Sequence, residues 1–177
     1  MGLFGRFKKT ASESGGSSAM KGSGKSNLLR VSDFLTENTV VFFPSGPSKR
    51  QVFGNLIGAL ELPDPGTALK SILAREEAGS TVIAPGIALP HARITGISSI
   101  KAALGLCPSG IHYSHAAESP VHVVMLFLGP AENMREHLAF LASVSALFQA
   151  DGLVSFLLQL TTPQDVIERI KQVEKLL

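Results

Sequence analysis

The sequence predicts an α/β protein in which a mixed β-sheet is flanked by helices on both faces. Three observations lead there. Stretches of helical spacing and stretches of extended pattern alternate irregularly along the chain, with no internal repeat, which points to a mixed sheet covered by helices. The chain has 177 residues, 45% of them hydrophobic, which is enough to bury one respectable core. Residues 131–148 also carry a strong apolar stripe at helical spacing.

Residues 1–27 read as a flexible basic tail, because Thr10 to Ser26 is mostly Ser, Gly, Ala and Lys without apolar periodicity. The domain is expected over 28–177. Ser32 is placed to cap a short helical turn, and the β-branched and aromatic run Val40 to Phe43 reads as a strand. Pro47 suits the first turn of a helix whose Val52, Leu56, Ile57 and Leu60 recur at helical spacing until Pro63 stops it. A second helix follows from Thr67 to Ala78, with Ala68, Leu69, Ile72 and Leu73 on its apolar side and Gly79 as its stop. Thr81 to Ile83, Ile87 to Leu89, Ile100 to Leu106 and Val121 to Leu128 look extended. Ala131 to Phe148 places Met134, His137, Leu138, Leu141, Val144 and Phe148 on one stripe, with Arg135 and Glu136 turned away. Asp151 then caps Gly152 to Leu160, and Pro163 opens a last helix to Val173 or beyond.

Composition excludes several function classes. Formal charge is only +2, and half of the lysines and arginines fall in the first fifty positions, so no broad basic face for nucleic acid is implied. The single cysteine, Cys107, rules out an internal disulfide or a cysteine-rich metal site and suits a reducing cytoplasm. The longest apolar run, Val121 to Leu128 with His122 inside it, falls far short of the ~20 residues of a membrane-spanning helix. Met1 to Lys9 lacks a signal peptide's apolar stretch, and Arg6 stands where a myristoylation signal wants Ser or Thr. Leu3, Phe4 and Phe7 among Arg6, Lys8 and Lys9 make at most one turn of a membrane-surface anchor. Stable membrane insertion is not expected.

Three chemical signals fail on context. Gly22-Ser23-Gly24-Lys25-Ser26 imitates the end of a phosphate-binding loop, but Ala19 occupies the required first glycine and no strand precedes it. His112 and His115 have a spacing compatible with a metal pair, yet no carboxylate or thiolate cluster completes a shell, so they read as solvated loop histidines. Cys107-Pro108-Ser109-Gly110-Ile111 resembles the phosphocysteine loop of fructose-type enzyme IIB, but it follows a mid-chain strand, and a structural, buried Cys107 is the better reading.

The stronger signal runs from Leu73 to Thr81 and on through Gly86-Ile87-Ala88-Leu89-Pro90-His91-Ala92-Arg93. It describes a helix ending in a charged turn, a glycine reversal, and an extended apolar run stopped by Pro90, which holds His91 at the mouth of a strand. Neutral imidazole is a nucleophile when one nitrogen keeps its lone pair and the proton on the other is tied to a partner. A phosphoryl group on that ring needs a cation, and Arg75 at the end of the neighbouring helix offers a planar fork. His137, on the later helix, can approach the same mouth. Taken singly, each of these residues has an ordinary reading as a surface, core or helix-end side chain.

Together they carry more. Arg-Glu, then Gly-Ser-Thr, then Gly-Ile-Ala-x-Pro-His resembles the phosphorylation-site signature of the fructose/mannitol/nitrogen-regulatory class of enzyme IIA (type 2) of the bacterial phosphotransferase system. The likeness continues through Gly110-Ile111, Tyr113, Pro120 to Val123, Gly129-Pro130 and His137-Leu138, and covers 28–177. One departure is Ala92, where glycine is frequent.

The resemblance implies a mixed sheet between helices and a phosphocarrier. His91 matches the histidine phosphorylated at Nε2 by HPr or a related phosphodonor, Arg75 the phosphate-binding arginine, and His137 the second site histidine. The acceptor is an enzyme IIB or a regulatory target protein. No cofactor or metal is required, since phosphoryl transfer needs mainly in-line positioning and charge stabilisation. Ile87, Ala88, Leu89, Ala92 and Ile94 are expected to give the docking surface its apolar centre. With no enzyme IIB, transporter or DNA-binding segment attached, the nitrogen-regulatory variant is favoured. The alternative is a non-catalytic binding module, since the same fold resembles the cytoplasmic domain of anion exchangers. A hydrolase is disfavoured because the chain has no Gly-x-Ser-x-Gly elbow.

Overall fold

The computed structural model describes residues 28–113 and 119–177. The expected tail and His115 lie outside the described residues. A six-stranded mixed sheet is built from β1 (Val40–Phe42), β2 (Val82–Ala84), β3 (Ile87–Ala88), β4 (His91–Ile94), β5 (Lys101–Ile111) and β6 (Val121–Pro130). The strand order is β1-β5-β6-β3-β2, with β4 also paired to β6. β5 and β6 are antiparallel; β1 runs parallel to β5, and β3 and β4 run parallel to β6. The α-helices are α1 (Lys49–Ala59), α2 (Pro65–Glu77), α3 (Met134–Phe148), α4 (Leu153–Leu157) and α5 (Pro163–Glu174).

β6 is the centre of the molecule because nearly every side chain on it is apolar, which suits a strand covered on both faces. Its alternation divides the core. Val123, Met125 and Phe127 point to the layer made with Phe140, Val144 and Leu147 of α3 and Val166 and Ile170 of α5. Val124, Leu126 and Leu128 point to the layer made with Val52, Phe53 and Leu56 of α1 and Ala68 and Ile72 of α2. Each fully buried side chain of this size contributes about 1.5–3 kcal/mol. The mixed sheet with helices on both faces is therefore as the sequence predicts.

Several local expectations are corrected. Ser32 does not cap a helix; it sits inside a 3-10 turn, Val31–Phe34, and its hydroxyl donates to Glu174 on α5. The α1 cap is Ser48, which forms a reciprocal box with Gln51, so Pro47 lies outside the helix. Asp151 caps nothing: Gly152, with φ +72, precedes a short α4, which ends well before Leu160. Cys107 lies within β5, which continues through an irregularity between Leu106 and Ile111.

The apolar stripe of α3 is also rotated. The buried face is His137, Phe140, Ser143, Val144, Leu147 and Phe148, while Met134 and Leu138 are 50% and 54% exposed. A helix apolar on most of its circumference does not announce which face the sheet will cover.

Candidate functional site

The strand carrying His91 is interrupted and then resumed. β3 pairs Ile87 with Val123 and Ala88 with Val124, and β4 pairs His91 with Phe127 in the same register. Pro90 breaks the strand without shifting it: its carbonyl accepts from the Phe127 N–H at 3.1 Å. His91 is thus the first residue of β4, where the sequence led us to expect the extended run to stop.

The break leaves the Leu89 carbonyl facing the His91 ring, 2.8 Å from Nδ1. A carbonyl only accepts, so Nδ1 carries the proton and Nε2 keeps its lone pair. His91 is half-buried, and its ring stacks on Phe127 with centroids 5.4 Å apart and planes at 20°. Burial is the main force lowering its pKa below the ordinary 6.5; the bond to Leu89 opposes this, Arg75 adds to it, and Glu76 opposes it. The resting ring is neutral at pH 7.

His137 comes from the first turns of α3, whose start is fixed by Asn133 accepting from the Glu136 N–H at 3.1 Å. Its ring centroid lies 5.5 Å from that of His91 and 4.9 Å from that of Phe127. It is buried, and its pKa falls to about 4, through desolvation first and then the charges of His91 and Arg93. Nδ1 of His137 is buried without a hydrogen-bond partner among the described residues. It is packed over Gly129: a Cβ on that glycine would stand 2.7 Å from Nδ1.

Arg75 occupies the last turn of α2, which packs against β4, and its Nη1 donates to the Gly79 carbonyl at 3.0 Å. Its charge reaches His91, as the pKa effect shows. The structure thus brings His91, His137 and Arg75 to one end of the sheet.

Sequence reasoning missed four neighbours. Phe127 forms the floor shared by both imidazoles, and Gly129 makes room for His137. Arg93 donates from Nη1 to the Ala131 carbonyl at 3.0 Å and places a second cation close enough to act on His137. Glu76, the residue after Arg75, is buried against Thr81 and Tyr113. Arg93 and Glu76 lie within the quoted motif, and Gly129 in its extension, but only the paired strands show what each one touches.

The expected docking surface is corrected too. Ile87, Ala88, Leu89 and Ala92 are buried in the core, and Ile94 is half-buried. The exposed apolar side chains beside the site are Met134 and Leu138, which flank His137 on α3. Cys107 is fully buried, with its thiol pushed up to about 11 by desolvation, so a thiolate nucleophile is disfavoured there. Among the described residues, no group of three or more His, Cys, Asp or Glu side chains gathers in a way that could hold a metal ion.

Residues 33–173 match the family described as the phosphoenolpyruvate-dependent sugar phosphotransferase system, EIIA 2. The chain belongs to that family. A nitrogen regulatory protein of Pseudomonas aeruginosa is 32% identical over 68% of this EIIA 2 chain and 80% of its own length. The fructose-specific EIIABC component of Bacillus subtilis is 26% identical over 83% of this chain, which spans only 24% of that longer protein. The crystal structure of the nitrogen regulatory protein IIA-Ntr from Neisseria meningitidis superposes with a TM-score of 0.71 at 22% identity, covering 79% of this chain and 98% of its own. That likeness establishes the shared EIIA 2 fold. No helix among the described residues is long and apolar enough to cross a membrane.

Proposed function

We propose that this EIIA 2 chain is a phosphocarrier in which Nε2 of His91 takes a phosphoryl group from HPr or a related phosphodonor protein and passes it to an acceptor protein. The observation that carries the reading is the Nδ1 to Leu89 carbonyl contact, which leaves Nε2 as the available lone pair on a ring that is neutral at pH 7. In the forward step the Nε2 lone pair bonds to phosphorus and the donor's histidine nitrogen leaves; in the return step the acceptor's nucleophile displaces Nε2. The Nδ1 proton stays on the ring throughout, held by Leu89.

Arg75, whose charge acts on His91, and Arg93, whose charge acts on His137, offset the phosphoryl charge. His137 is neutral and its Nδ1 has no partner among the described residues; with its proton on Nε2 it would donate to a phosphoryl oxygen. Met134 and Leu138 supply the exposed apolar contact for the docked carrier.

For the acceptor, the Bacillus relative joins components A, B and C in one chain, which supports an enzyme IIB as one outlet. The match to a nitrogen regulatory protein over most of its length supports the other, in which the phosphorylation state of His91 is itself the signal. We favour the regulatory outlet. The test incubates the chain with phosphoenolpyruvate, enzyme I and HPr, and weighs it. The reading expects the acid-labile mass of one phosphoryl group, absent in His91→Ala. An unmodified chain with a functioning donor would return the choice to a non-catalytic binding module of the same fold.

A further inference from the structure

Glu76 is a buried carboxylate beside the phosphoryl site that the transfer chemistry does not use. Its Oε2 accepts from the Thr81 N–H at 3.2 Å, the Thr81 hydroxyl at 2.5 Å and the Tyr113 hydroxyl at 3.2 Å. Its Oε1 lies 3.6 Å from Lys49 Nζ, which also sits 5.0 Å over the Tyr113 ring. Carboxylates are seldom buried without a task, since desolvation opposes them even when they are paired.

The hydrogen bonds lead onward from Thr81. Its carbonyl accepts from the Leu89 N–H at 2.9 Å, and the Leu89 carbonyl holds His91 Nδ1 at 2.8 Å. One continuous line therefore runs from Glu76 through Thr81 and the Leu89 peptides to the imidazole. The same carboxylate closes the reversal from α2 into β2, in which Gly79 accepts from Arg75. Thr81 is 4% exposed, so water does not compete strongly for its bonds.

We propose that Glu76 is a positioning residue of the phosphoryl site: by locking Thr81 it fixes the Leu89 carbonyl, which holds His91 in its Nδ1–H tautomer, and fixes the turn that presents Arg75. The inference rests on the phosphocarrier reading for its consequence in catalysis, but not for its consequence in the resting protein. The charged and titratable groups facing His91 are Arg75 and Glu76 from α2 and His137 from α3, with Arg93 on its own strand; Phe127 of β6 carries no charge.

Long-range proton–nitrogen NMR of the full-length, unphosphorylated protein with nitrogen-15 histidine reads the His91 tautomer directly. The expectation is an Nδ1–H tautomer in the wild type and a mixture in Glu76→Gln, with phosphoryl uptake from phospho-HPr slowed by about tenfold or more. Should Glu76→Gln fail to fold, Thr81→Val, which removes the hydroxyl's bonds to Glu76 and Tyr113 and keeps the backbone bonds, decides the matter through a smaller change in the same direction. A folded variant with the wild-type tautomer overturns the proposal, whether or not its uptake is slowed, because a slowed rate with an unmoved tautomer puts the effect elsewhere. If wild-type protein takes no phosphoryl group, the function reading fails, while the tautomer measurement still judges Glu76.

Discussion

Because the Leu89 carbonyl accepts a hydrogen bond from the Nδ1–H of His91 and burial lowers the ring's pKa, the unprotonated Nε2 is already present at neutral pH. Phosphoryl uptake should hold level through neutrality and fall only as pH drops below 6.5. His137 links the same chemistry to stability. Its folded value of about 4 lies below the ordinary 6.5, so the unfolded chain binds that proton more readily. The stability it contributes is complete above 6.5 and is lost as pH falls toward about 4. Urea midpoints of the wild type and His137→Asn at pH 7 and pH 5 check this: the drop between the two should be smaller in the variant. Gly129 is the other residue whose role is geometric. Gly129→Ala places a methyl 2.7 Å from His137 Nδ1, which should cost about 1–3 kcal/mol of stability and displace the ring proposed to assist transfer. Denaturant unfolding and uptake rates together test it, and an unchanged rate would remove His137 from the site. The sequence singles out His91, Arg75 and His137 as candidates through the motif and its extension, whereas Phe127 and Gly129 were not legible as neighbours of that site, since they matter only through strand register.

The helices show why an element's existence is easier to read than its orientation. Asp64 accepting from Thr67, Pro65 in the first turn of α2, and Thr162 with Pro163 at the start of α5 are local signals, and both helices begin within two residues of their expected starts. The facing of α3 is not local, because β6 chooses it. Phe140→Ala, which empties a position against Phe127 and Phe34, should cost about 3–5 kcal/mol. Leu138→Ala should stay within about 0.5 kcal/mol in unfolding experiments. Leu138→Asp should instead raise the KM for the phosphodonor while leaving stability near the wild type, which is the signature of a docking residue. β4 has the same lesson: a proline reads as a stop, but pairing with β6 carries the strand across it.

At the scale of the molecule, the fold class was legible because irregular alternation of helical and extended patterns leaves few other architectures. The sheet order was not, since it depends on pairings between distant segments. That order makes the site: β6 places Phe127 beneath His91 of β4, α3 returns over β6 with His137, and α2 lies against β4 with Arg75. The central claim is that this arrangement exposes one nitrogen of one histidine to a phosphoryl donor. Phosphorus and nitrogen NMR of the protein after incubation with phosphoenolpyruvate, enzyme I and HPr tests it most directly. The account predicts a single phosphohistidine, on Nε2 of His91, with Nδ1 still protonated against Leu89. Phosphate on Nδ1, or on any other residue, would contradict it.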